Sequence, residues 1–292
     1  MNDQQIVIFG EVLFDCFPTG EQVLGGAPFN VAWHLEALGA APCFVSAIGD
    51  DEPGQQILAA MNSWGMRTDG VQINTEYPTG IVEVQIVRGQ PSYHISEDVA
   101  YDHIRTDLLP DGSDDFILYH GTLALRHGES QRAFDALSER KGCSLFVDIN
   151  LRSPWWNQGT VLKRLMRARW AKMNNDELID LGFDDPDPEV AMAKLMAQST
   201  LEQLIVTRGA DGALVRTRDG EFIPVAAPPI KRLIDTVGAG DAFSAVYLHG
   251  LITGRPIEEN IAMAQQLAAD IIAMRGAIPT TRDIYNQLTT TG

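Results

Sequence analysis

Apolar residues along the chain gather in short runs, and most of these runs end at a glycine or a polar residue. Runs without alternation are typical of strands that are covered on both faces, as in a parallel sheet. Five such strands are predicted, at residues 6–9, 44–48, 116–119, 145–147 and 204–207.

Helical spacing separates these predicted strands. Val31, Leu35 and Leu38 are spaced by four and three residues, and Gly39 follows them where a helix C-cap would lie. Similar apolar stripes occur in the segments 57–64, 134–137, 161–166 and 257–271. Alternating strands and helices predict an α/β fold, a doubly wound and mostly parallel sheet flanked by helices.

Residues 79–95 depart from this pattern, because apolar and polar positions alternate there. Val82, Val84 and Ile86 are separated by polar residues, and a turn is predicted at 88–91 before the alternation resumes. Two antiparallel strands explain this segment better than a strand followed by a helix.

The run at 12–17 is also typical of a strand. We therefore predict a small β-sheet that projects from the main one, built from about residues 12–24 and 79–104. Such a sheet could act as a lid, and an ordinary edge hairpin is the alternative. No linker or internal repeat is evident, so residues 1–292 are predicted to form a single domain that carries this insertion.

Charge and cysteine content exclude several classes of protein. The 292 residues include 22 Lys and Arg against 39 Asp and Glu, a net charge of −17, which disfavours binding to nucleic acid or anionic membranes. Three cysteines without CxxC spacing argue against a disulfide framework or a zinc knuckle. Neither a signal peptide nor an apolar stretch of about 20 residues is present, so we expect a soluble cytoplasmic protein.

The segment 235–243, Asp-Thr-Val-Gly-Ala-Gly-Asp-Ala-Phe, is the most informative part of the sequence. Gly238 and Gly240 allow close approach of the backbone to a ligand, and the helix predicted after them directs free N–H groups and its dipole outward. This favours an anion site. Neither a P-loop lysine nor the third glycine of a dinucleotide fingerprint is present. A tight turn capped by Asp241 is the alternative interpretation.

Asp241 narrows the chemistry of this anion site. A carboxylate beside bound phosphate is repelled by it, so its presence there calls for a function. One such function is to accept the proton of a hydroxyl that receives the phosphoryl group. A loose phosphoryl-transfer transition state needs little base strength, so an ordinary carboxylate suffices. The segment therefore predicts phosphoryl transfer to a hydroxyl.

Other polar residues follow predicted strands or begin predicted helices. Asn30 follows the Gly25-Gly26 turn and carries an amide suited to hydroxyl recognition, although a capped surface helix explains it equally well. Glu11 and Asp15 flank the end of the first strand, where open α/β sheets bind ligands.

Three further segments carry weaker signals. If the chain after the 145–147 strand stays extended, Asp148, Asn150 and Arg152 lie on one side of it, and Arg152 can clamp an anion. Residues 174–177, Asn-Asn-Asp-Glu, offer oxygens for Mg²⁺ or an ordinary Asn-rich turn. Residues 207–212 offer two glycines after a strand, or simply a turn into the next strand.

In this order, the segments resemble the ribokinase-like family of carbohydrate kinases, also called the PfkB family. The matching motifs are Gly25-Gly26-x-x-x-Asn30-x-Ala32, Asn174-x-x-Glu177, Thr207-x-Gly209-x-x-Gly212 and the ungapped Asp235-Thr236-x-Gly238-Ala239-Gly240-Asp241. The resemblance spans nearly the whole chain. It implies a ribokinase-like fold with a β-sheet lid and an ATP-dependent kinase that phosphorylates a sugar hydroxyl.

The resemblance also implies a role for each matched residue. Asp241 is then the catalytic base, and the amides of Gly238, Ala239 and Gly240 form the anion hole. Sugar binding falls to Asp15, Gly25, Gly26, Asn30 and Arg152. Nucleotide binding falls to Thr207, Gly209, Gly212, Asn174 and Gln265, the last standing where many relatives have an asparagine. Asn174 and Glu177 hold Mg²⁺ largely through water, and Asp235 with the loop 276–280 is the candidate K⁺ site.

D-fructose, phosphorylated to fructose 6-phosphate, is the first substrate that the resemblance suggests. The glycine motif at 25–32 and the motif at 148–152 look most like those of fructokinases. The second motif is also similar to that of 2-keto-3-deoxygluconate kinases, where the arginine can meet a carboxylate. Two alternative functions stay open: another sugar or nucleoside kinase of the family, and a non-catalytic sugar-binding regulator. A homodimer formed through the small sheet also stays open.

Overall fold

Residues 4–87, 90–111, 113–230 and 232–289 are described by a computed structural model, and thirteen strands and nine α-helices lie within them. The strands are β1 Gln5–Phe9, β2 Leu13–Cys16, β3 Gln22–Gly25, β4 Cys43–Gly49, β5 Val71–Asn74, β6 Gly80–Val87, β7 Gln90–Ile95, β8 Phe116–His120, β9 Cys143–Asp148, β10 Trp170–Asn174, β11 Gln203–Thr207, β12 Ala213–Thr217 and β13 Phe222–Val225. The helices are α1 Ala27–Ala37, α2 Glu52–Trp64, α3 Gly128–Ser138, α4 Gln158–Leu165, α5 Asn175–Asp180, α6 Pro188–Met196, α7 Ala239–Thr253, α8 Ile257–Ile271 and α9 Asn286–Thr289.

A nine-stranded sheet forms the centre of the fold, in the order β13-β12-β11-β10-β9-β8-β1-β4-β5. Neighbouring strands from β5 to β11 are parallel, whereas β12 and β13 are antiparallel additions at one edge. The strand order reverses between β1 and β8, and ligands of open α/β sheets bind beyond the carboxyl ends of strands at such a point. The predicted α/β architecture is confirmed.

Helices cover both faces of this sheet. Side chains along one strand alternate between the two faces, so neighbouring residues pack against different helices. Ile6 and Ile8 pack in one buried cluster with residues of α1, α7 and α8. Val7 and Phe9 pack in the other cluster with residues of α3, and the rings of Phe9 and Phe134 meet edge to face at 5.7 Å. The strands are therefore buried on both sides, which explains their unbroken apolar runs.

A separate four-stranded sheet has the order β3-β2-β6-β7. It is the small sheet that the alternating pattern predicted. Residues 88 and 89 of the predicted turn at 88–91 lie outside the described residues. The middle pair, β2 and β6, is parallel with Leu13 opposite Gly80. Leu13, Val82 and Tyr101 belong to the buried cluster under this sheet. Its action as a lid stays a proposal.

Strand β10 was not among the predicted strands. Lys172 and Asn174 place polar side chains on it, so its sequence does not show the unbroken apolar run of its neighbours. None of the helices in the described part of the chain combines the length and apolar character needed to cross a bilayer.

Candidate active site

The amino end of α7 is built from the glycine segment that the sequence singled out. Gly238 precedes the helix with φ +83°, and a Cβ there would collide with Ala277, so only glycine fits. The first intrahelical hydrogen bond runs from the amide of Ala242 to the carbonyl of Gly238. The amides of residues 238–241 therefore have no acceptor within the helix and are available to an anion.

Two helix amino ends converge at this point. Asn30 lies in the first turns of α1 and donates from Nδ2 to Oδ2 of Asp241 at 2.7 Å. The Asn30 side chain is buried, and its Oδ1 has no hydrogen-bond partner among the described residues. The contact places the predicted sugar-binding amide directly against the predicted base.

The carboxyl group of Asp241 is largely withdrawn from solvent and has polar and charged neighbours. Burial raises its pKa to about 6, and the charge of Asp148 raises it as well. The hydrogen bond from Asn30 and the positive charges of Lys172 and Arg152 oppose this rise. A carboxyl with this pKa is ionised at neutral pH and is a stronger base than an exposed aspartate.

This pKa predicts the pH dependence of turnover. Only the ionised carboxylate of Asp241 can accept a proton, so kcat/KM should reach a plateau above about pH 6 and fall about tenfold per pH unit below it. A pH–rate profile with saturating Mg²⁺ measures this, and the Glu11→Gln variant, recorded in parallel, should keep the acidic limb. A profile that stays flat from pH 8 down to pH 5 would contradict the assignment of Asp241 as the base.

The predicted sugar-binding residues surround the same carboxylate. Gly26 precedes α1 with φ +111°, and a Cβ there would lie 2.6 Å from the carbonyl oxygen of Glu11, so the start of α1 packs closely on the segment after β1. Gly25 is the last residue of β3, and a Cβ on it would lie 3.5 Å from Oδ2 of Asp15. Because Gly25 lacks a side chain, the backbone leaves room beside the carboxylate of Asp15.

Two further carboxyl groups share this environment. Burial raises the pKa of Glu11 to about 7 and that of Asp15 to about 6, while the charge of Arg152 lowers both. The charge of Asp241 also raises the pKa of Glu11, and that of Asp235 raises the pKa of Asp15. These mutual effects show that the carboxylates lie within electrostatic reach of one another.

Arg152 is the cation of this group. Its side chain is exposed, and its guanidinium forms no hydrogen bond or ion pair with any other residue in the described ranges. It acts on Glu11, Asp15 and Asp241 only through its charge. Its guanidinium is therefore free to meet a substrate.

Asp148 and Arg152, which a fully extended chain would place on one side, differ in exposure. Strand β9 ends at Asp148, which is buried and accepts hydrogen bonds from the hydroxyls of Tyr119 at 2.8 Å and Ser244 at 2.5 Å. Its carboxylate is thus held inside the protein beside α7, whereas Arg152 is exposed at the surface.

Lys172 is a site residue that the sequence reasoning missed. Its side chain is buried, and Nζ donates to the two carboxylate oxygens of Asp148 at 2.8 and 3.1 Å. A Cβ on Gly240 would lie 3.4 Å from this ammonium, so Lys172 sits beneath the first turn of α7. Burial lowers the pKa of Lys172, but the charge and hydrogen bonds of Asp148 outweigh this and raise it, so the group stays cationic. The sequence signal that could have identified this residue is a single lysine within the otherwise apolar segment 170–173.

Asn174 and Glu177 lie at the start of α5 and cap each other. Oδ1 of Asn174 accepts from the amide of Glu177, and Oε2 of Glu177 accepts from the amide of Asn174, both at 2.8 Å. Oε1 of Glu177 accepts from the amide of Leu151 at 3.4 Å. Burial raises the pKa of Glu177. The oxygens predicted to face Mg²⁺ are thus held in place by the backbone and keep lone pairs for water.

The predicted nucleotide-binding residues lie at the adjoining strand ends. Thr207 stands opposite Asn174 in the β10–β11 pairing. Gly209 and Gly212 have φ of +55° and +84°, and a Cβ on Gly212 would collide with Val225. The structure therefore brings Thr207, Asn174 and the two glycines to one edge of the sheet.

Gln265 lies on α8 and is buried. Its Nε2 donates to the carbonyl of Val225 at 3.1 Å, while its buried Oε1 has no hydrogen-bond partner among the described residues. Val225 is also the neighbour of Gly212, so Gln265 adjoins the glycine turn. Its contact with adenine stays a prediction.

The two segments predicted to bind K⁺ meet in the structure. Oδ2 of Asp235 accepts from the amide of Gly276 at 3.3 Å, and its Oδ1 accepts from the amide of Val237 at 3.1 Å. The contact joins Asp235 to the start of the 276–280 loop, next to the amino end of α7.

Comparison with known proteins decides the family. The protein-family model described as pfkB family carbohydrate kinase matches residues 4–283 of the sequence. The chain belongs to this family. It is therefore a carbohydrate kinase, as the motifs suggested, and the predicted enzyme class is confirmed.

Individual relatives and structures agree with this family. The chain is 27% identical to a probable fructokinase-7 of Arabidopsis thaliana over 94% of this chain and 88% of the relative. The structure superposes on aminoimidazole riboside kinase from Salmonella enterica, complexed with aminoimidazole riboside and an ATP analogue, with a TM-score of 0.84 at 23% identity over 98% and 99% of the two chains. A fructokinase double mutant from Vibrio cholerae O395, bound to fructose, ADP and potassium, gives 0.81 at 23% identity over 95% and 94%. These two structures share the fold.

Proposed function

We propose that this carbohydrate kinase transfers the γ-phosphoryl group of ATP to D-fructose and forms fructose 6-phosphate. The observation that carries the proposal is the hydrogen bond between Asn30 and Asp241, which joins a hydroxyl-recognising amide to a base at the amino end of α7. Curated fructokinases among its relatives support fructose as the sugar.

The transfer follows from this arrangement. The sugar hydroxyl gives its proton to the carboxylate of Asp241 as its oxygen bonds to the γ-phosphorus. The bond from that phosphorus to the bridging oxygen breaks, and ADP leaves. Developing negative charge is stabilised by the free amides of residues 238–241 and by the ammonium of Lys172 beneath them.

Metal ions belong to this proposal as cofactors. The carboxylate and amide oxygens of Asn174 and Glu177 are hard donors that suit Mg²⁺ held through water, and Mg²⁺ would neutralise phosphate charge. Asp235 and carbonyl oxygens of the 276–280 loop suit K⁺ in the same way. Closure of the small sheet as a lid, association of two copies through it, and a cytoplasmic location are proposed on the sequence alone.

Arg152 favours a second candidate substrate, 2-keto-3-deoxygluconate. The guanidinium is exposed, free of protein partners in the described ranges, and within electrostatic reach of Asp241. A planar cation of this kind can bind a substrate carboxylate through two hydrogen bonds. Fructose carries no charge, so the two sugars place different demands on this residue.

A screen of ADP release with the Arg152→Leu variant separates the two. We expect wild-type kcat/KM to be highest for fructose among fructose, ribose, 2-keto-3-deoxygluconate and adenosine. The variant should lose about 10- to 100-fold in kcat/KM for the acidic sugar, the value of a charge-assisted hydrogen bond, and only a few-fold for fructose. An exposed control, Arg132→Leu on α3, should change neither. Higher wild-type activity on the acidic sugar would make it the substrate, and no turnover of any sugar would overturn the proposal.

A further inference from the structure

Three metal-binding side chains meet outside the active site. Asp98 follows β7 of the small sheet, His103 ends a short 3₁₀ helix at Ala100–His103, and His127 immediately precedes α3. One donor atom from each of them lies within 4.8 Å of the other two. The kinase proposal uses none of these residues.

The two ring nitrogens of His103 have different surroundings. Nδ1 lies 3.0 Å from Oε2 of Glu129, and a proton on Nδ1 donated to this carboxylate would leave the lone pair of a neutral ring on Nε2. The ring stacks on Tyr77 with 3.5 Å between centroids, and the residue is only 5% exposed. Nε2 is buried and has no hydrogen-bond partner in the described part of the chain. A carboxylate on one nitrogen and an unpartnered lone pair on the other is the arrangement of metal-bound histidines.

The spacing of the donor atoms suits tetrahedral coordination. Oδ1 of Asp98 lies 3.4 Å from Nε2 of His103. Two ligands at about 2.0–2.1 Å from a tetrahedral Zn²⁺ are about 3.3 Å apart. The Asp98 side chain is 74% exposed, so an ion can enter from solvent and keep water as a fourth ligand.

His127 can supply the third ligand at small cost. Its Nδ1 accepts from the amide of Glu129 at 3.5 Å, a long bond that caps α3. Coordination through either ring nitrogen loses at most this bond. The donor set of two imidazoles and one carboxylate suits zinc and similar transition-metal ions, whereas Mg²⁺ prefers oxygen ligands and water.

We propose that Asp98, His103 and His127 form a binding site for one divalent transition-metal ion, best suited to Zn²⁺, with Glu129 orienting His103. A bound ion would join the segment that leaves β7 to the start of α3. Tyr101 of the same 3₁₀ helix lies against Gly80 of β6, so the ion would fasten the base of the small sheet.

The test is Zn²⁺ binding by the full chain without a histidine tag, measured in competition with a chromogenic chelator. Asp98→Asn keeps a residue tolerant of the positive φ, and His127→Asn keeps a residue that can cap α3. Each should weaken Zn²⁺ affinity at least tenfold, and Glu129→Gln should weaken it about 10- to 100-fold. His94→Asn, an exposed histidine on β7, is the matched control and should bind as the wild type does.

Co²⁺ gives a second readout, because a tetrahedral site produces intense visible absorption, which the Asp98→Asn and His127→Asn variants should lose and the His94→Asn control should keep. Equal Zn²⁺ affinity in the wild type and the three site variants would place the ion elsewhere and overturn the proposal. Absence of Zn²⁺ binding would also overturn it. Neither outcome depends on whether the chain phosphorylates fructose.

Discussion

The Asp241→Asn variant is expected to lose roughly 10²–10⁴-fold in kcat while it still binds ATP. The amide keeps the size of the carboxylate and can still accept the hydrogen bond from Asn30, but it cannot take the proton of the sugar hydroxyl. Steady-state ADP release gives kcat, and calorimetry gives the ATP affinity.

A stability measurement separates lost chemistry from a lost fold. Because burial raises the pKa of Asp241 to about 6, the folded state loses stability as pH rises and this carboxyl ionises. The neutral variant escapes that cost, so at pH 7.5 its melting temperature should be no lower than that of the wild type. Asp184→Asn, an exposed carboxylate, is the control and should leave kcat unchanged. Wild-type turnover in the Asp241→Asn variant would remove this residue from the mechanism.

The Lys172→Met variant is expected to lose about 3–5 kcal/mol of unfolding free energy. The substitution leaves the charge of Asp148 buried without its cationic partner, with only the hydroxyls of Tyr119 and Ser244 to solvate it. Urea unfolding measures the change. Lys163→Met, an exposed lysine on α4, is the control and should shift the value by less than about 0.5 kcal/mol.

A double variant tests the pairing itself. Adding Asp148→Asn to Lys172→Met removes the uncompensated charge, so most of the lost stability should return and the two effects should be strongly non-additive. Turnover should not return with it, because the ammonium beneath the first turn of α7 is still missing. Additive losses, or full recovery of kcat in the double variant, would contradict the role given to Lys172.

Parts of the fold that depend on local pattern were predictable. Three elements could be predicted to within a few residues of their bounds. They are β1 from its unbroken apolar run, α1 from its periodic apolar stripe and β6 from its alternation. Gly238 could be recognised in the sequence as a glycine directly before a helical pattern. The structure explains the choice of residue, because the positive φ at this position excludes other residues. These features are fixed by chain neighbours, so a single sequence contains them.

Features that join distant segments were not predictable in the same way. Asn30 and Asp241 are 211 positions apart, and only the family resemblance suggested that they share a site. The partner of Asp148 lies on the next parallel strand, and Lys172 resembles a surface residue until β10 is known to be buried. His103 and His127 lack a metal-motif spacing, so their proximity to Asp98 emerges only from the fold.

The most direct test of the central claim is a crystal structure of the chain with D-fructose and a non-hydrolysable ATP analogue. We predict the γ-phosphate at hydrogen-bond distance from the amides at the amino end of α7. We also predict a fructose hydroxyl about 2.6–3.2 Å from the carboxylate of Asp241. A γ-phosphate bound away from these amides, or a sugar whose hydroxyls all lie beyond reach of Asp241, would contradict the account.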